Sequence, residues 1–258
     1  KGLRLITNVD GLEHLRSKFS SLKKLYVRIA QRMTAKHSSA LVVDSAALLP
    51  HWKDVLGAAA GRLQVIRYGT DLSTNTDEEV LKSFWLQKNN YYLLIARIVP
   101  ENNIEMIIEG FLAAGSSREL VVVGNWNDSS FGIQLRKRSG GNIKFLDPVY
   151  DSEKVTALRT GCFAYLHGHS VGGTNPTLVE ALGAGSVTVC HDNPFNRETT
   201  SGAGRFFTDT VSLSTCLREL DHCSATMLEA MRLQSRAIAA TQYDWNSIAG
   251  QYESLMKA

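Results

Sequence analysis

The sequence has no apolar run approaching the ~20 residues that a membrane span requires. It carries no signal-peptide pattern and opens at Lys1 rather than Met. Net charge is low: Lys and Arg number 28 against 25 Asp and Glu, a formal +3. That excess is too mild to point to nucleic acid as a partner. The four cysteines, Cys162, Cys190, Cys216 and Cys223, form no CxxC pair. Cys162 and Cys190 lie in apolar, strand-like runs and read as buried free thiols of a reducing, cytoplasmic setting. GxSxG, P-loop and GxGxxG signatures are missing, as are internal repeats and low-complexity segments. Hydrolase, NTPase and simple dinucleotide readings therefore lack support. What is present is a chain of 258 residues, 44% hydrophobic and 21% charged, enough for one large or two modest domains with real cores.

Its apolar residues fall into short, near-continuous runs separated by helical patterns. Leu3–Val9, Ala40–Asp44 and Leu63–Tyr68 read as three strands, with a basic amphipathic helix from about Leu22 to His37 after the first. In that helix Leu22, Leu25, Tyr26, Ile29 and Met33 recur at helical spacing, which predicts a core face. Lys23, Lys24, Arg28, Arg32 and Lys36 decorate the same helix. The polar stretch Thr70–Glu78 is the best linker candidate. Beyond it, strands are expected at Tyr91–Ala96, Glu119–Gly124, Ile143–Leu146, Cys162–Leu166, Ser186–Cys190 and Gly204–Phe207, with helices between. Such runs argue for a doubly wound parallel sheet covered on both faces.

The sequence is organised around His167 to Gly185. An apolar strand leads into the small-residue loop His169-Ser170-Val171-Gly172-Gly173-Thr174-Asn175, then into Pro176 and the helical pattern Leu178-Val179-Glu180-Ala181-Leu182. Strand, Gly-rich loop and helix N-terminus together present backbone N–H groups to an anion. Gly172 and Gly173 allow close approach and positive φ. Thr174 or Asn175 can cap the helix, and Pro176 suits its first turn. Glu180 lies about a turn in, either placed to accept from a sugar diol or simply favoured there by the helix dipole.

This stretch resembles the donor-site signature of retaining GT-B glycosyltransferases, closest to the bacterial polysaccharide rhamnosyltransferase branch. That family carries two glutamates eight positions apart. Glu180 matches the second, which binds the nucleotide ribose, whereas the first falls at Gly172. The group facing the transferred sugar is thereby left open, with His169 and Asp10 as the candidates for catalytic contact. Asp10 stands where the family often has a His, in Asn8-Val9-Asp10-Gly11; it contacts acceptor or transferred sugar, or is a plain Asp-Gly turn. Arg97, closing a strand, matches the family's diphosphate-binding Arg, and Asn102 occupies the place of a Lys five residues later. The resemblance further implies nucleotide contacts from the loop at Gly124 and backbone contacts to the base from the stretch at Leu146. His167, His169 and His191 lack a ligand set at site spacing, so no metal is expected. The donor's charge is instead met by Arg97 and the helix dipole.

The implied organisation is a partial N-terminal, acceptor-side Rossmann-like domain over 1–75 and a nucleotide-sugar-binding domain over 76–240. A helix over 241–258 would cross back to the first part. The family's N-terminal half has strands ahead of Leu3, so a piece of a longer protein is expected, with much of the acceptor site outside it. The implied partners are a nucleoside-diphosphate sugar donor and a glycan or lipid-linked acceptor. Peripheral contact with the inner face of the cell membrane goes with that acceptor. The implied reaction is transfer of a sugar, rhamnose at the level of the branch, with retention. A binding-only module or partner subunit is the alternative that Gly172 and Asn102 keep open, and a nucleotide-sugar epimerase is a third.

Overall fold

The computed structural model describes residues 4–9, 20–73, 75–138 and 140–257. The short apolar runs form two sheets. The smaller has three parallel strands, β1 (Ile6–Asn8), β2 (Ala40–Val43) and β3 (Leu63–Val65), in that spatial order. Parallel neighbours need a crossover between them, and α1 (Ser21–His37) and α2 (Leu49–Leu56) lie in those two connections. β2 alternates its residues between two cores. Leu41 and Val43 meet Leu48, Trp52 and Ala35 on one face, while Ala40 and Val42 meet Ile66, Ile248 and Leu255 on the other.

The larger sheet has six strands: β4 (Tyr91–Ile95), β5 (Glu119–Val123), β6 (Ile143–Leu146), β7 (Ala164–His167), β8 (Thr188–His191) and β9 (Arg205–Phe207). All pair in parallel, in the order β6-β5-β4-β7-β8-β9. Between and after them come α3 (Glu78–Ser83), α4 (Ile104–Ala114), α5 (Ser130–Arg138), α6 (Ser152–Gly161), α7 (Pro176–Gly183), α8 (Pro194–Thr199), α9 (Thr210–Asp221), α10 (Ala225–Gln242) and α11 (Trp245–Lys257). The strands are near-continuous apolar runs because both faces are covered, with Lys144 inside β6 and Glu119, His167, Thr188, His191 and Arg205 at strand ends. Tyr92, Leu94, Val122 and Leu166 pack with Ile107, Phe111 and Leu213 from α4 and α9. Tyr91, Leu93, Val121 and Tyr165 pack with Leu158, Leu178 and Ala181 from α6 and α7. This is the doubly wound parallel sheet that the strand pattern predicts.

α11 returns to the smaller sheet. Thr70 N–H donates to Tyr243 O at 2.8 Å and Thr70 forms a parallel bridge with Asp244, so the two strands of chain linking the sheets run side by side. Ile248 and Leu255 of α11 then cover Ala40 and Val42.

The expected core face of α1 is corrected by the structure. Leu22, Tyr26 and Met33 are 80%, 73% and 58% exposed, and Leu25 and Ile29 face outward with them. The inward side is the small and polar one, with Ala35 buried and Lys24, Val27, Gln31 and Thr34 half-buried. Helical spacing fixes which residues share a face, not where that face points. A 17-residue helix is about 25 Å long, whereas strands of three or four residues span roughly 10–14 Å. The small sheet therefore offers too little apolar surface to hold the stripe.

Candidate functional site

The strand order reverses between β4 and β7, which are hydrogen-bonded neighbours whose following connections lead to opposite sides of the sheet. In open parallel sheets the crevice at such a switch point, beyond the carboxyl ends of the strands, is where ligands bind. Arg97 leaves β4 there, and the loop from Gly168 to Asn175 leaves β7 beside it.

Local chemistry shapes that loop. Gly172 has φ +130°, a backbone region other residues avoid. Gly173 does not take the expected positive φ. Its constraint is space, because a Cβ there would lie 2.2 Å from Asp44 Oδ1. Asn175, not Thr174, caps α7: its side chain accepts from Thr177 N–H at 3.0 Å, and Pro176 follows as the first helical residue. The Thr174 hydroxyl instead donates to Asp44 O at 2.7 Å, reaching the turn after β2.

The two loops of the crevice are stitched together. Ser170 donates through its hydroxyl to Glu101 O at 2.8 Å, and Asn103 Nδ2 donates to Gly168 O at 2.8 Å. Asn102 is 5% exposed and its Nδ2 donates to Arg97 O at 2.8 Å. From the other side, Asn193 and Asn196 each donate an amide N–H to His169 O, at 2.9 and 3.0 Å.

A cavity of about 220 Å³ opens here, bordered by Tyr68, Arg97, Asn102, His169, Gly172, Gly173 and Thr174. A second hollow of about 640 Å³ shares Arg97, His169 and Asn175 with it and extends to Gly124, Pro148 and Tyr150. A third, of about 460 Å³, shares Tyr150 and Val149 with the second and holds Glu180, Arg159 and Trp245. Together they form one groove along the carboxyl edge of the sheet. The Arg97 side chain is exposed to this groove and pairs with no carboxylate among the described residues.

Tyr165, His167 and His169 form a ladder, since alternate residues of an extended segment share a side. The rings of His167 and His169 stack 4.4 Å apart and 14° from parallel. His167 is fully buried and neither ring nitrogen has a hydrogen-bond partner among the described residues. Burial pushes its pKa well below 6.5, and His169 and His191 push it further. Burial lowers His191 as well, opposed by Asp192. Among the described residues no group of three or more His, Cys, Asp or Glu is placed to hold a metal.

Two parallel α/β layers meeting at this crevice, the larger with a Rossmann-like strand order, make the fold that of GT-B glycosyltransferases. The chain superposes on HepE of Anabaena, crystallised with UDP, at TM-score 0.82 and 17% identity, over 98% of this chain and 72% of that one. With UDP-glucose the same protein gives 0.81 and 16%, over 99% and 72%. Sucrose-phosphate synthase of Thermosynechococcus elongatus gives 0.76 and 15%, over 98% and 67%. In sequence the chain is similar to the phosphatidyl-myo-inositol mannosyltransferase of Mycobacterium leprae, 28% identical over 165 residues, 59% of this chain and 42% of that protein. The Mycolicibacterium smegmatis enzyme is 25% identical over 202 residues, 71% and 48% respectively. The chain thus spans somewhat under half the length of these curated relatives. No family model matches it.

Of the residues singled out from sequence, Arg97, Asn102, His169, Gly172, Gly173 and Thr174 border one cavity, and Gly124 borders the adjoining hollow. Leu146 is at the end of β6, and its carbonyl is engaged within the fold by Gly124 N–H at 3.1 Å and Trp126 Nε1 at 3.2 Å. Pro148, Val149 and Tyr150, just beyond it, are the residues that reach the groove. Asp10 lies outside the described residues. Glu180 borders the third hollow and pairs with Arg159, a partner the sequence reading missed. Arg159 sits in the last turn of α6, where Ala157, Leu158, Thr160 and Gly161 are all buried. An Arg amid a small and apolar face was the available signal.

Proposed function

We propose that this chain is the donor-binding part of a retaining glycosyltransferase that moves a sugar from a nucleoside diphosphate to a glycan or lipid-linked acceptor. One observation carries the reading: Arg97, which pairs with no carboxylate among the described residues, and the N-terminus of α7 converge on a single cavity at the switch point of the sheet. A guanidinium and a helix N-terminus suit a diphosphate through charge and through directed N–H groups. In the transfer step, negative charge builds on the leaving diphosphate, and both features are fixed in place before it appears. In this reading they fill the role of a divalent cation. The nucleoside would extend along the groove past Gly124 and Pro148, with Glu180 accepting from its ribose. HepE binding UDP and UDP-glucose with the same fold supports the donor class.

Rhamnose from a dTDP donor is the branch-level proposal for the sugar. Peripheral membrane contact is proposed through α1, whose exposed Leu22, Tyr26 and Met33 stand beside Arg28, Arg32 and Lys36. Binding of UDP, GDP, dTDP and their sugars to the full-length protein, followed by an acceptor screen, tests the reading. A protein that binds no nucleoside diphosphate at millimolar concentration would refute it.

A further inference from the structure

Outside the groove, the most fully engaged carboxylate among the described residues is Glu198 on α8. Its Oε2 accepts from Ser45 Oγ at 2.6 Å and from Ala47 N–H at 2.8 Å. Its Oε1 accepts from Ala46 N–H at 2.8 Å and from Arg67 Nη2 at 2.9 Å. Four donors match the capacity of one carboxylate. All four belong to the smaller sheet's part of the chain: three from the turn after β2, and Arg67 just beyond β3. α8 itself follows β8 of the larger sheet. The side chain is 18% exposed, so these bonds are largely shielded from water. Burial alone would raise the carboxyl pKa, but Ser45, the Ala46 and Ala47 amides and Arg67 outweigh it and hold the group below 4.5.

The same turn touches the donor loop. Asp44 O accepts the Thr174 hydroxyl, and Asp44's carboxylate fills the space beside Gly173. The segment from Asp44 to Ala47 is therefore held from one side by the loop that borders the cavity and from the other by Glu198. We infer that Glu198 is a positioning residue, a latch that holds this turn against the Gly172–Thr174 loop and so fixes the closed arrangement of the two sheets around the donor diphosphate. For its ligand this rests on the donor reading above; for the latch itself it rests on the four contacts alone. A ligand that needs the closed arrangement binds with an apparent Kd equal to the intrinsic value divided by the closed fraction. Breaking the latch lowers that fraction without touching a group that contacts donor.

The test uses the full-length protein and the variants Glu198→Gln, Glu198→Ala and Arg67→Lys. Without nucleotide, small-angle scattering of both Glu198 variants should show a larger radius of gyration than wild type. Their Kd for nucleoside diphosphates should rise about tenfold, as for the loss of charged hydrogen bonds partly transmitted through closure. Binding of the bare nucleoside should not change, and kcat at saturating donor should stay within about twofold while donor KM rises. Arg67→Lys should move the same way by less, and it carries the test if the Glu198 variants fail to fold. An unchanged scattering profile in folded Glu198→Ala, or equal loss for nucleoside and diphosphate, would overturn the latch. Unfolding of all three variants would do so too, by making Glu198 a residue of stability. A wild-type protein that binds no nucleoside diphosphate would remove the donor reading and leave scattering to decide on the latch.

Discussion

His167 offers a measurement in which magnitude and sign both follow from its surroundings. The ring is fully buried, has no hydrogen-bond partner for either nitrogen among the described residues, and stacks on His169. Burial, with His169 and His191 adding to it, holds the ring neutral far below its ordinary pKa of 6.5. In the unfolded chain the ring takes up a proton as pH drops through 6.5, so below that pH the unfolded state binds one more proton than the native state. Its contribution to stability is therefore intact above pH 6.5 and is lost as pH falls. The slope is about 1.4 kcal/mol per pH unit for one proton. Integrated from pH 7.5 to pH 5.0, a ring that stays neutral in the native state costs the protein about 2 kcal/mol. His167→Phe removes this term. Phenyl is larger than imidazole, so its absolute stability at pH 7.5 is expected to be lower by about 1 kcal/mol or more from overpacking. The informative quantity is the change in the difference between the two proteins. Urea unfolding at both pH values should narrow, or reverse, the gap by about 2 kcal/mol at pH 5.0, roughly 1 M in midpoint. His51 and His191, both lowered by burial, are present in both proteins and largely cancel. Parallel stability curves between pH 7.5 and pH 5.0 would show that His167 is protonated in the native state, and the argument would fall.

Three further outcomes are expected. Arg97→Ala should weaken nucleoside diphosphate binding by about 1.5–3 kcal/mol and leave nucleoside binding alone; calorimetry with both ligands checks this, and equal losses would count against a diphosphate role. Glu180→Ala should raise the donor KM by a similar charged-hydrogen-bond increment, about 1.5–3 kcal/mol, and Glu180→Gln by less. A covalent glycosyl adduct on Glu180, or abolished turnover at unchanged KM, would show a different role for it. The full-length protein should co-sediment with anionic vesicles in a salt-sensitive way, at about 1 kcal/mol per well-placed Lys or Arg of α1, and its failure to do so at low salt would refute the membrane contact.

What could be read from the sequence divides along a physical line. β4, β5, β7 and β8 are legible because strands covered on both faces are near-continuous apolar runs, a pattern that needs no knowledge of the partners. The loop at Gly172 is legible as a turn because small residues run between an apolar strand and a helical pattern. The orientation of α1 is not, because spacing defines a stripe while the surface available elsewhere decides whether the stripe is covered. Arg159 and Glu180 are 21 positions apart and Ser45 and Glu198 are 153 apart. Such pairs are made by tertiary proximity and leave no local trace. Gly173 illustrates the boundary: the need for close approach is legible in the loop, but the group that approaches is not, because the Asp44 carboxylate arrives from the other sheet.

Asn102, one of the two positions where the chain departs from the pattern it resembles, belongs to a hydrogen-bonded unit that reaches the loop carrying the other, Gly172. A Lys at 102 would add a charge on a flexible stem. Asn102 is buried instead, and its amide closes the Arg97 loop on Arg97's own carbonyl. The next residue, Asn103, at φ +50°, reaches across to Gly168 O, and Ser170 reaches back to Glu101 O. At Gly168 a Cβ would lie 2.1 Å from Asn102 O, so the two loops abut with no side chain between them. Asn102 and Gly168 are therefore parts of a single contact, and a side chain at 168 would push on the Asn102 backbone. The result is a site with one cation fewer, in which the loop bearing Arg97 is tied by hydrogen bonds to the loop that precedes Gly172. A fixed backbone loses less freedom on binding. A loop tied in this way holds Arg97 at the cavity without the second cation that a Lys at 102 would supply.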